Sequence, residues 1–406
     1  MSAPPIRLPA GVRDFLPRAA ARRLALAERV LGVFEAWGYA RLVTPVFEVA
    51  DVLARSSGGL EGAIRFVEPG SGEIVALRPD ITPQIARIAA TRLADVEGPV
   101  RLCYEGAVHR IADRAQREIA QAGIELIDAP APDGDAEVLA VAAAALAATG
   151  LPETHLDVGH VAPAQHVLAA APDAEARARL AAALARKDRG GVRAAARVLP
   201  ADVQVLAEEL PSLWGPAETI LARARALPWP SDVQAGLAQL RDVLARFAEL
   251  ADGAPKVTVD LGELRGEGYY TGVRFAGYAG GAPDAVLRGG RYDDLIGRYG
   301  RAARATGFAI DLESLATAQR TAGLAAPARA IGVAVVGDAA LARALRAKGF
   351  RVVTCAAEPT ASWLRGAGLD AAIGAGLLLR ADGARAPIGD DLFRALELLR
   401  EQPCPS

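Results

Sequence analysis

Apolar side chains recur at helical spacing between residues 18 and 37, at Leu24, Leu26, Val30, Leu31 and Phe34. This period predicts an amphipathic helix that ends near Gly38. Short apolar runs bounded by turn residues follow, and they predict strands instead. Five such strands are predicted next, at 40–46, 66–68, 74–77, 100–108 and 119–126. The first part of the chain is therefore predicted to be an antiparallel sheet with flanking helices.

A long stretch rich in Ala, Leu and Arg follows, from residue 129 to residue 252. Its period is helical except at 154–158, where a short strand is predicted. Alanine-rich helices of this kind need no functional explanation, because alanine is the best helix former. We therefore predict a helical insertion over about residues 160–252 that serves as scaffold or interface.

Strand patterns return after this insertion. A helix is predicted to start near Gly307, after strands at 256–261, 270–278 and 285–287. A linker of small residues then leads to an apolar run at 331–336, which opens a β-α-β pattern. The chain is thus predicted to contain an α+β core over residues 1–325 and a small α/β domain over residues 326–406.

The composition narrows the class of protein. Of 406 residues, 52% are apolar and 23% are charged, as in ordinary globular proteins. The net charge of -2 argues against nucleic acid as a partner, because binding phosphates needs clustered Lys and Arg. Cys103, Cys355 and Cys404 stand apart, which predicts neither disulfides nor a metal site. No apolar run approaches the ~20 residues of a membrane span, so we expect a cytoplasmic protein.

Motifs of common nucleotide and hydrolase sites are missing from the sequence, including the P-loop and the G-x-S-x-G elbow. We therefore predict no cofactor. Other polar residues lie beside predicted strands and have clear chemical uses. Asp80 and Thr82 follow a strand and can receive an ammonium group. Arg110 ends the next strand, and its guanidinium group can hold a carboxylate.

Two more segments complete this set of candidates. Gln121 and Glu125 lie four residues apart, so both face the same side of a strand. A glutamate carboxylate can accept a proton-bearing imidazole nitrogen. Tyr270 and Tyr292 can form the walls of a side-chain pocket. The candidates together suit an amino acid whose side chain is an imidazole.

In their order along the chain, these segments resemble the catalytic core of histidyl-tRNA synthetase, a class II synthetase, over roughly the first 320 residues. Residues 41–48, 103–125 and 307–315 are similar to the three class II motifs, and residues 265–272 and 289–293 to the two histidine-specific motifs. The resemblance implies a class II synthetase-like fold and a homodimer with Pro45 at its interface. It also implies that histidine is bound by Asp80, Thr82, Arg110, Gln121, Glu125, Arg265, Tyr270 and Tyr292.

The departures from that family concern ATP. The third-motif arginine, which clamps the triphosphate in synthetases, is replaced by Ser314, and a neutral hydroxyl group cannot stabilise the charge that develops during adenylate formation. The loop between Arg110 and Gln121, which carries further ATP-contacting arginines in the family, is shortened. Asp311 introduces a carboxylate where glycine is usual. We therefore predict that the chain does not activate histidine with ATP.

With the pocket kept and the chemistry lost, the chain resembles the regulatory subunits of ATP phosphoribosyltransferase, the first enzyme of histidine biosynthesis. Residues 77–87 and 262–266 are closer to that family than to true synthetases. The resemblance implies a non-catalytic subunit that joins a short catalytic subunit in a hetero-oligomer, is required for its activity, and binds L-histidine for feedback inhibition. The C-terminal domain resembles a reduced anticodon-binding domain without a basic stripe. Two other functions stay open, namely a divergent active histidyl-tRNA synthetase and a synthetase-like regulator of tRNA or translation.

Some candidates also fit structural roles. Asp80 can cap a helix that begins just after it, because aspartate is favoured at that position. Arg110 and Arg265 can form structural ion pairs. Tyr269 precedes Tyr270, and neighbours on a strand face opposite ways, so we expect Tyr269 in the core and outside the pocket.

Overall fold

A computed structural model describes residues 7–56, 60–111, 116–251, 256–264, 268–325, 330–388 and 392–397. The chain divides into two compact units, Met1–Ala326 and Pro327–Ser406. The strands of the first unit are β1 (Ala40–Arg41), β2 (Phe47–Val49), β3 (Arg65–Val67), β4 (Ile74–Leu77), β5 (Val100–His109), β6 (Glu118–Ile127), β7 (His155–His160), β8 (Trp214–Pro216), β9 (Lys256–Asp260), β10 (Val273–Tyr278), β11 (Leu287–Arg291) and β12 (Ala305–Asp311). Its helices are α1 (Pro17–Ala36), α2 (Ala50–Ala54), α3 (Thr82–Thr91), α4 (Asp133–Ala148), α5 (Val161–Ala169), α6 (Ala174–Ala185), α7 (Arg189–Ala196), α8 (Ala201–Glu209), α9 (Ala217–Arg225), α10 (Ser231–Leu250) and α11 (Leu312–Thr321).

Nine strands of the first unit form one large sheet in the order β1-β5-β6-β12-β11-β10-β7-β9-β8. Most neighbours are antiparallel, as the sequence predicts, and the mixed α+β class is confirmed. Two pairs, β1 with β5 and β7 with β9, are parallel. Between β7 and β9 the chain forms α5 to α10 and the short strand β8, which the sequence did not predict because it contains Gly215 and Pro216.

The alternation along β6 divides the two faces of this sheet. Four alternate residues are buried against α1, α4 and α11, namely Ala120, Ala122, Ile124 and Leu126. Gln121 and Glu125 lie between them and so point to the opposite face. The register pairs Gly106 with Gln121 and Leu102 with Glu125. Helices α1, α4 and α11 thus cover one face of the sheet at β6, and the polar candidates are on the opposite face.

A second sheet of the first unit has the order β2-β4-β3 and is antiparallel. The predicted hairpin is confirmed, since β3 pairs with β4. Helix α3 begins at Thr82, shortly after β4, and packs Ile81 and Ile85 into a core beneath this region. Asp80 is therefore held between the end of a strand and the start of a helix.

Several predicted boundaries were wrong. The strand predicted at 40–46 covers only Ala40–Arg41, and the one predicted at 285–287 is Leu287–Arg291. The helix predicted near Gly307 begins at Leu312, because Gly307 lies inside β12 and pairs with Glu125 on one side and Gly290 on the other. Pairing with two distant strands keeps this segment extended, and the local pattern does not contain that information. The strand predicted at 270–278 begins at Val273, so the tyrosine pair before it lies in a loop.

The second unit is a five-stranded sheet in the order β14-β13-β15-β16-β17. Its first three strands are parallel and the remaining pairs are antiparallel. Its elements are β13 (Gly332–Val336), α12 (Ala339–Ala347), β14 (Arg351–Cys355), α13 (Ala361–Ala367), β15 (Ala371–Gly374), β16 (Leu377–Arg380), β17 (Arg385–Pro387) and α14 (Leu392–Glu397). In the described ranges of both units, every helix is too short or too polar to cross a bilayer.

Candidate functional site

Seven of the eight predicted site residues line one cavity of about 210 Å³ beside the large sheet. They are Asp80, Thr82, Arg110, Gln121, Glu125, Tyr270 and Tyr292. The eighth, Arg265, lies outside the described residues. Residues far apart in sequence therefore meet at one place, on the face of β6 opposite α1, α4 and α11.

Glu125 forms the buried end of the cavity and is only 1% exposed. The hydroxyl group of Thr82 donates a hydrogen bond to Oε1 of Glu125 at 2.7 Å, and the hydroxyl group of Tyr292 donates one to Oε2. Burial raises the pKa of Glu125 to about 8, although the two hydroxyl donors offset part of that rise. A pKa of about 8 favours the protonated form of this carboxyl group at neutral pH.

Three tyrosine rings surround this carboxyl group. The ring of Tyr269 lies 5.1 Å from that of Tyr270 and 5.4 Å from that of Tyr292, measured between centroids. Burial raises the pKa of all three hydroxyl groups, so they stay neutral and can act as hydrogen-bond donors. The prediction that Tyr269 lies outside the pocket was wrong, because the two tyrosines are in a loop and need not alternate.

Two glycines make room for this arrangement. A Cβ atom on Gly307 would lie 2.0 Å from Oε2 of Glu125, and one on Gly290 would lie 2.8 Å from Cδ1 of Tyr270. Both glycines are on central strands, β12 and β11, at positions paired with each other. Any larger residue at either position would fill the space next to the buried carboxyl group.

The polar side chains at the other end of the cavity are held mainly by backbone groups. Oδ1 of Asp80 accepts hydrogen bonds from the backbone N–H groups of Ile81 at 2.7 Å and Thr82 at 3.4 Å. Nε of Arg110 donates to the carbonyl oxygen of Pro79 at 2.6 Å. Oε1 of Gln121 is buried and has no partner within the described chain. Asp80 is not the N-cap of α3, which is Ile81, and its carboxylate faces the cavity while it holds the turn before the helix. Gln121 has an acceptor available for a ligand.

Asp311 lines the same cavity and also starts helix α11. Its Oδ1 accepts from the backbone N–H groups of Glu313 at 2.9 Å and Ser314 at 3.0 Å, and its Oδ2 accepts from the hydroxyl group of Ser314 at 2.8 Å. The two departures at 311 and 314 are therefore one local structure, in which the serine hydroxyl is held by the aspartate. This structure puts a carboxylate at the end of β12, facing the cavity.

Arg288 is a further lining residue that the sequence did not identify. It lies on β11 opposite Ala309 and Ala276, and its Nη2 donates to Asp284 at 2.9 Å. Its role depends on the register of three strands, and a single sequence gives no signal for that register. Among the described residues, no group of three or more His, Cys, Asp or Glu side chains is arranged to hold a metal ion.

Comparison of the sequence with known proteins identifies relatives over most of the chain. The sequence profile of the family described as histidyl-tRNA synthetase matches residues 11–315. An ATP phosphoribosyltransferase regulatory subunit of Anaeromyxobacter sp. (strain Fw109-5) is 46% identical over 316 residues, which cover 76% of this chain and 91% of the relative. A second regulatory subunit, from Pseudomonas aeruginosa (strain LESB58), is 37% identical over 376 residues, which cover 89% of this chain and 94% of the relative.

Solved structures agree with these relatives. An ATP phosphoribosyltransferase regulatory subunit/histidyl-tRNA synthetase from Bacillus halodurans C superposes with a TM-score of 0.78 at 28% identity, covering 87% of this chain and 94% of that one. Histidyl-tRNA synthetase from Nostoc sp. PCC 7120 has a TM-score of 0.80 at 20% identity, over 97% and 99% of the two chains, which supports the fold alone. The chain therefore belongs to the family of ATP phosphoribosyltransferase regulatory subunits, whose fold is that of histidyl-tRNA synthetase.

Proposed function

We propose that this chain is a non-catalytic subunit that binds a short ATP phosphoribosyltransferase catalytic subunit, is required for its activity, and binds L-histidine to inhibit it. The observation that carries the proposal is the cavity that ends at Glu125, in a chain whose relatives are named as regulatory subunits. Its volume of about 210 Å³ suits a single amino acid. It is smaller than the ~300–1,000 Å³ of typical drug-sized sites.

The chemistry of the cavity supports histidine as the amino acid. Glu125 and the hydroxyl group of Tyr292 can bond the imidazole ring in a site with little water, where such bonds are strongest. Asp80 can take the ammonium group, with Gln121 providing a further acceptor. Arg110 can take the carboxylate, and the same role is proposed for Arg265.

The Asp311–Ser314 pair supports the loss of adenylate formation. A synthetase needs positive charge where the triphosphate of ATP lies, and this chain has a carboxylate and a hydroxyl group there. Two like charges about 4 Å apart repel by roughly 4 kcal/mol at an effective dielectric constant of 20. The remaining cavity therefore suits histidine and disfavours the triphosphate.

Exposed apolar side chains on the small sheet support self-association of the chain. Phe47 and Phe66 pack edge to face with their centroids 6.0 Å apart, and they remain 47% and 41% exposed. Val67 and Ile74 on neighbouring strands are 61% and 57% exposed. Such a patch is typical of a protein interface. We propose that it forms a homodimer of the class II type within the hetero-oligomer.

Arg78 offers a physical link between that interface and the cavity. Its guanidinium group is buried, and it donates to the carbonyl oxygens of Thr44 at 3.0 Å, Pro45 at 3.2 Å and Ala107 at 2.7 Å. Thr44 and Pro45 precede β2, and Arg78 is two residues from Asp80. A change in the cavity can therefore reach the interface through a single side chain.

Feedback also requires that histidine bind one state of the complex more tightly than the other, since equal affinity shifts nothing. A coupling free energy of ~1–3 kcal/mol changes the apparent affinity for the other ligand by ~5–150-fold. We propose that closure of the cavity around Asp80, Arg110 and Tyr270 produces the difference in histidine affinity between the two states.

The test is phosphoribosyl transfer to ATP by a short catalytic subunit from the same source, with and without this chain, across a histidine titration. We expect activity only with the chain, and suppression by histidine that is lost in Glu125→Ala and Tyr270→Phe. Tyr278→Phe, which removes a hydroxyl group outside the cavity lining, is the control and should be inhibited like the wild type. Activity that is indifferent to the chain, or histidine-dependent ATP–pyrophosphate exchange by the chain alone, would contradict the proposal.

A further inference from the structure

A second cavity, larger than the first, lies between the start of α1 and one side of α11. Its volume is about 470 Å³, and it shares no lining residue with the cavity around Glu125. Its lining consists of Arg13, Asp14, Phe15, Leu16, Arg18, Ala19, Arg22, Arg23, Glu313, Ala316, Thr317 and Arg320. We call it the arginine groove. It belongs to the helix-covered side of the large sheet, since α1 and α11 pack there.

The groove carries an unusual charge for this chain. Five arginines and two carboxylates line it, an excess of three positive charges in a protein whose net charge is -2. One of the two carboxylates is already committed: Glu313 is 5% exposed and accepts from Nη2 of Arg13 at 2.9 Å and from Gln116. Most of the positive charge is therefore not neutralised by the groove itself.

The guanidinium groups are partly fixed in place. Nη2 of Arg22 donates to the carbonyl oxygen of Leu324 at 3.0 Å, while its Nη1 is buried and has no acceptor in the described part of the chain. The groups of Arg13 and Arg23 lie 4.7 and 4.9 Å from the centre of the Phe15 ring. A buried donor without an acceptor is unfavourable, and because Arg22 lines the groove, an anionic ligand there could provide the missing acceptor.

The start of α1 adds to the same field. Its first turn has no acidic residue, and its N-cap, Leu16, provides no side-chain hydrogen bond. Pro17, Arg18 and Ala19 follow, and two of them line the groove. Helix N-termini attract anions because their N–H groups are unpaired and the helix dipole is positive there.

We propose that the arginine groove binds a small ligand that carries a diphosphate or triphosphate group. Such a group has about three or four negative charges near neutral pH, which matches the excess in the groove. Guanidinium groups pair with phosphate oxygens two at a time, and the volume lies within the ~300–1,000 Å³ range of small-ligand sites. An acidic peptide would spread its charge along an extended segment, whereas these arginines converge on one concavity. Free pyrophosphate and a nucleotide share the chemistry.

The experiment is calorimetric titration of the full chain with inorganic pyrophosphate and, separately, with ATP, both without histidine. We expect a dissociation constant below about 1 mM for both ligands at about 0.1 M salt, and weaker binding as the salt concentration rises. Arg320→Gln should weaken it by about tenfold, whereas Arg225→Gln, an exposed arginine on α9, should leave it unchanged. Tighter binding of ATP than of pyrophosphate identifies a nucleotide as the ligand, and equal binding identifies the diphosphate group alone.

Glu313→Gln gives a change in the opposite direction that misfolding cannot imitate. It removes one negative charge and releases Arg13, so pyrophosphate should bind several-fold more tightly. No binding at about 1 mM, equal binding by Arg320→Gln, or full displacement by sulfate at matched ionic strength would overturn the proposal. Unfolding curves report whether each variant is folded. Because the titrations contain no histidine, the test is independent of whether the chain binds histidine.

Discussion

Glu125→Gln tests whether burial keeps a proton on the carboxyl group at the end of the first cavity. The substitution preserves the shape of the side chain and keeps an oxygen that can accept from Thr82 or Tyr292. It removes the titration, because an amide has no pKa in this range. Any difference between the two proteins that changes with pH therefore reports the protonation of Glu125.

The magnitude follows from the pKa of Glu125, which is about 8 in the folded chain and about 4.5 for an unperturbed glutamate. Between these values the folded chain holds a proton that the unfolded chain has lost. The stability contributed by the protonated group is complete below about pH 4.5 and is lost as the pH rises toward 8. From about pH 5.5 to about pH 7.5 this loss amounts to about 2.5 kcal/mol in the free energy of unfolding.

The assay is urea unfolding of both proteins at about pH 5.5 and about pH 7.5, followed by tryptophan fluorescence. Three of the four tryptophans, Trp37, Trp214 and Trp229, are in the first unit, so the signal reports that unit. We expect the stability of the wild type relative to Glu125→Gln to fall by about 2.5 kcal/mol between the two pH values. Glu97→Gln, at an exposed position, is the control. A change below about 0.5 kcal/mol would mean that the buried carboxyl group is already ionised at the lower pH, and the reasoning would fail.

Four further outcomes are expected. Histidine affinity measured by calorimetry should be greatest between about pH 6.5 and about pH 8 and fall by about tenfold per pH unit outside that range. Only within it do the carboxyl group of Glu125 and the imidazole ring together hold the one proton that the complex needs. An affinity that does not change with pH would contradict this. Asp311→Ala should lower the free energy of unfolding by about 1 kcal/mol, since it removes the cap of α11. Arg291→Met should lower the free energy of unfolding by about 3–5 kcal/mol, because Asp135 would lose the partner with which it is buried. Urea unfolding measures the effect of both substitutions, and an unchanged midpoint in either variant would refute its prediction. Val67→Asp should produce monomers in sedimentation, and Val205→Asp, similarly exposed but on α8, should not.

Elements with a long regular pattern could be predicted from the sequence. The strands predicted at 100–108 and 119–126 are observed as β5 and β6, with each boundary within one residue, because a hairpin with one buried face alternates over its whole length. The same alternation placed Gln121 and Glu125 on one face. Seven site residues could be predicted because they belong to motifs that follow one another in a recognisable order along the chain. That they line one cavity is known only from the structure.

What the sequence could not provide depends on contacts between distant strands. Gly307 is extended because β6 and β11 pair on either side of it, and Arg288 reaches the cavity through the register of β10, β11 and β12. Tyr269 was misplaced because its loop was taken for a strand. The raised pKa of Glu125 depends on burial by all these elements together, which no local pattern records.

The hydrogen bond between Asp311 and Ser314 couples the effects of substitutions at these two positions. An arginine introduced at position 314 alone would meet the carboxylate of Asp311, and an ion pair between them would neutralise the charge that a triphosphate requires. A glycine introduced at 311 alone would leave α11 without its cap and gain no cation in return. The two positions are therefore coupled, and neither single substitution would by itself provide the cation that ATP activation requires.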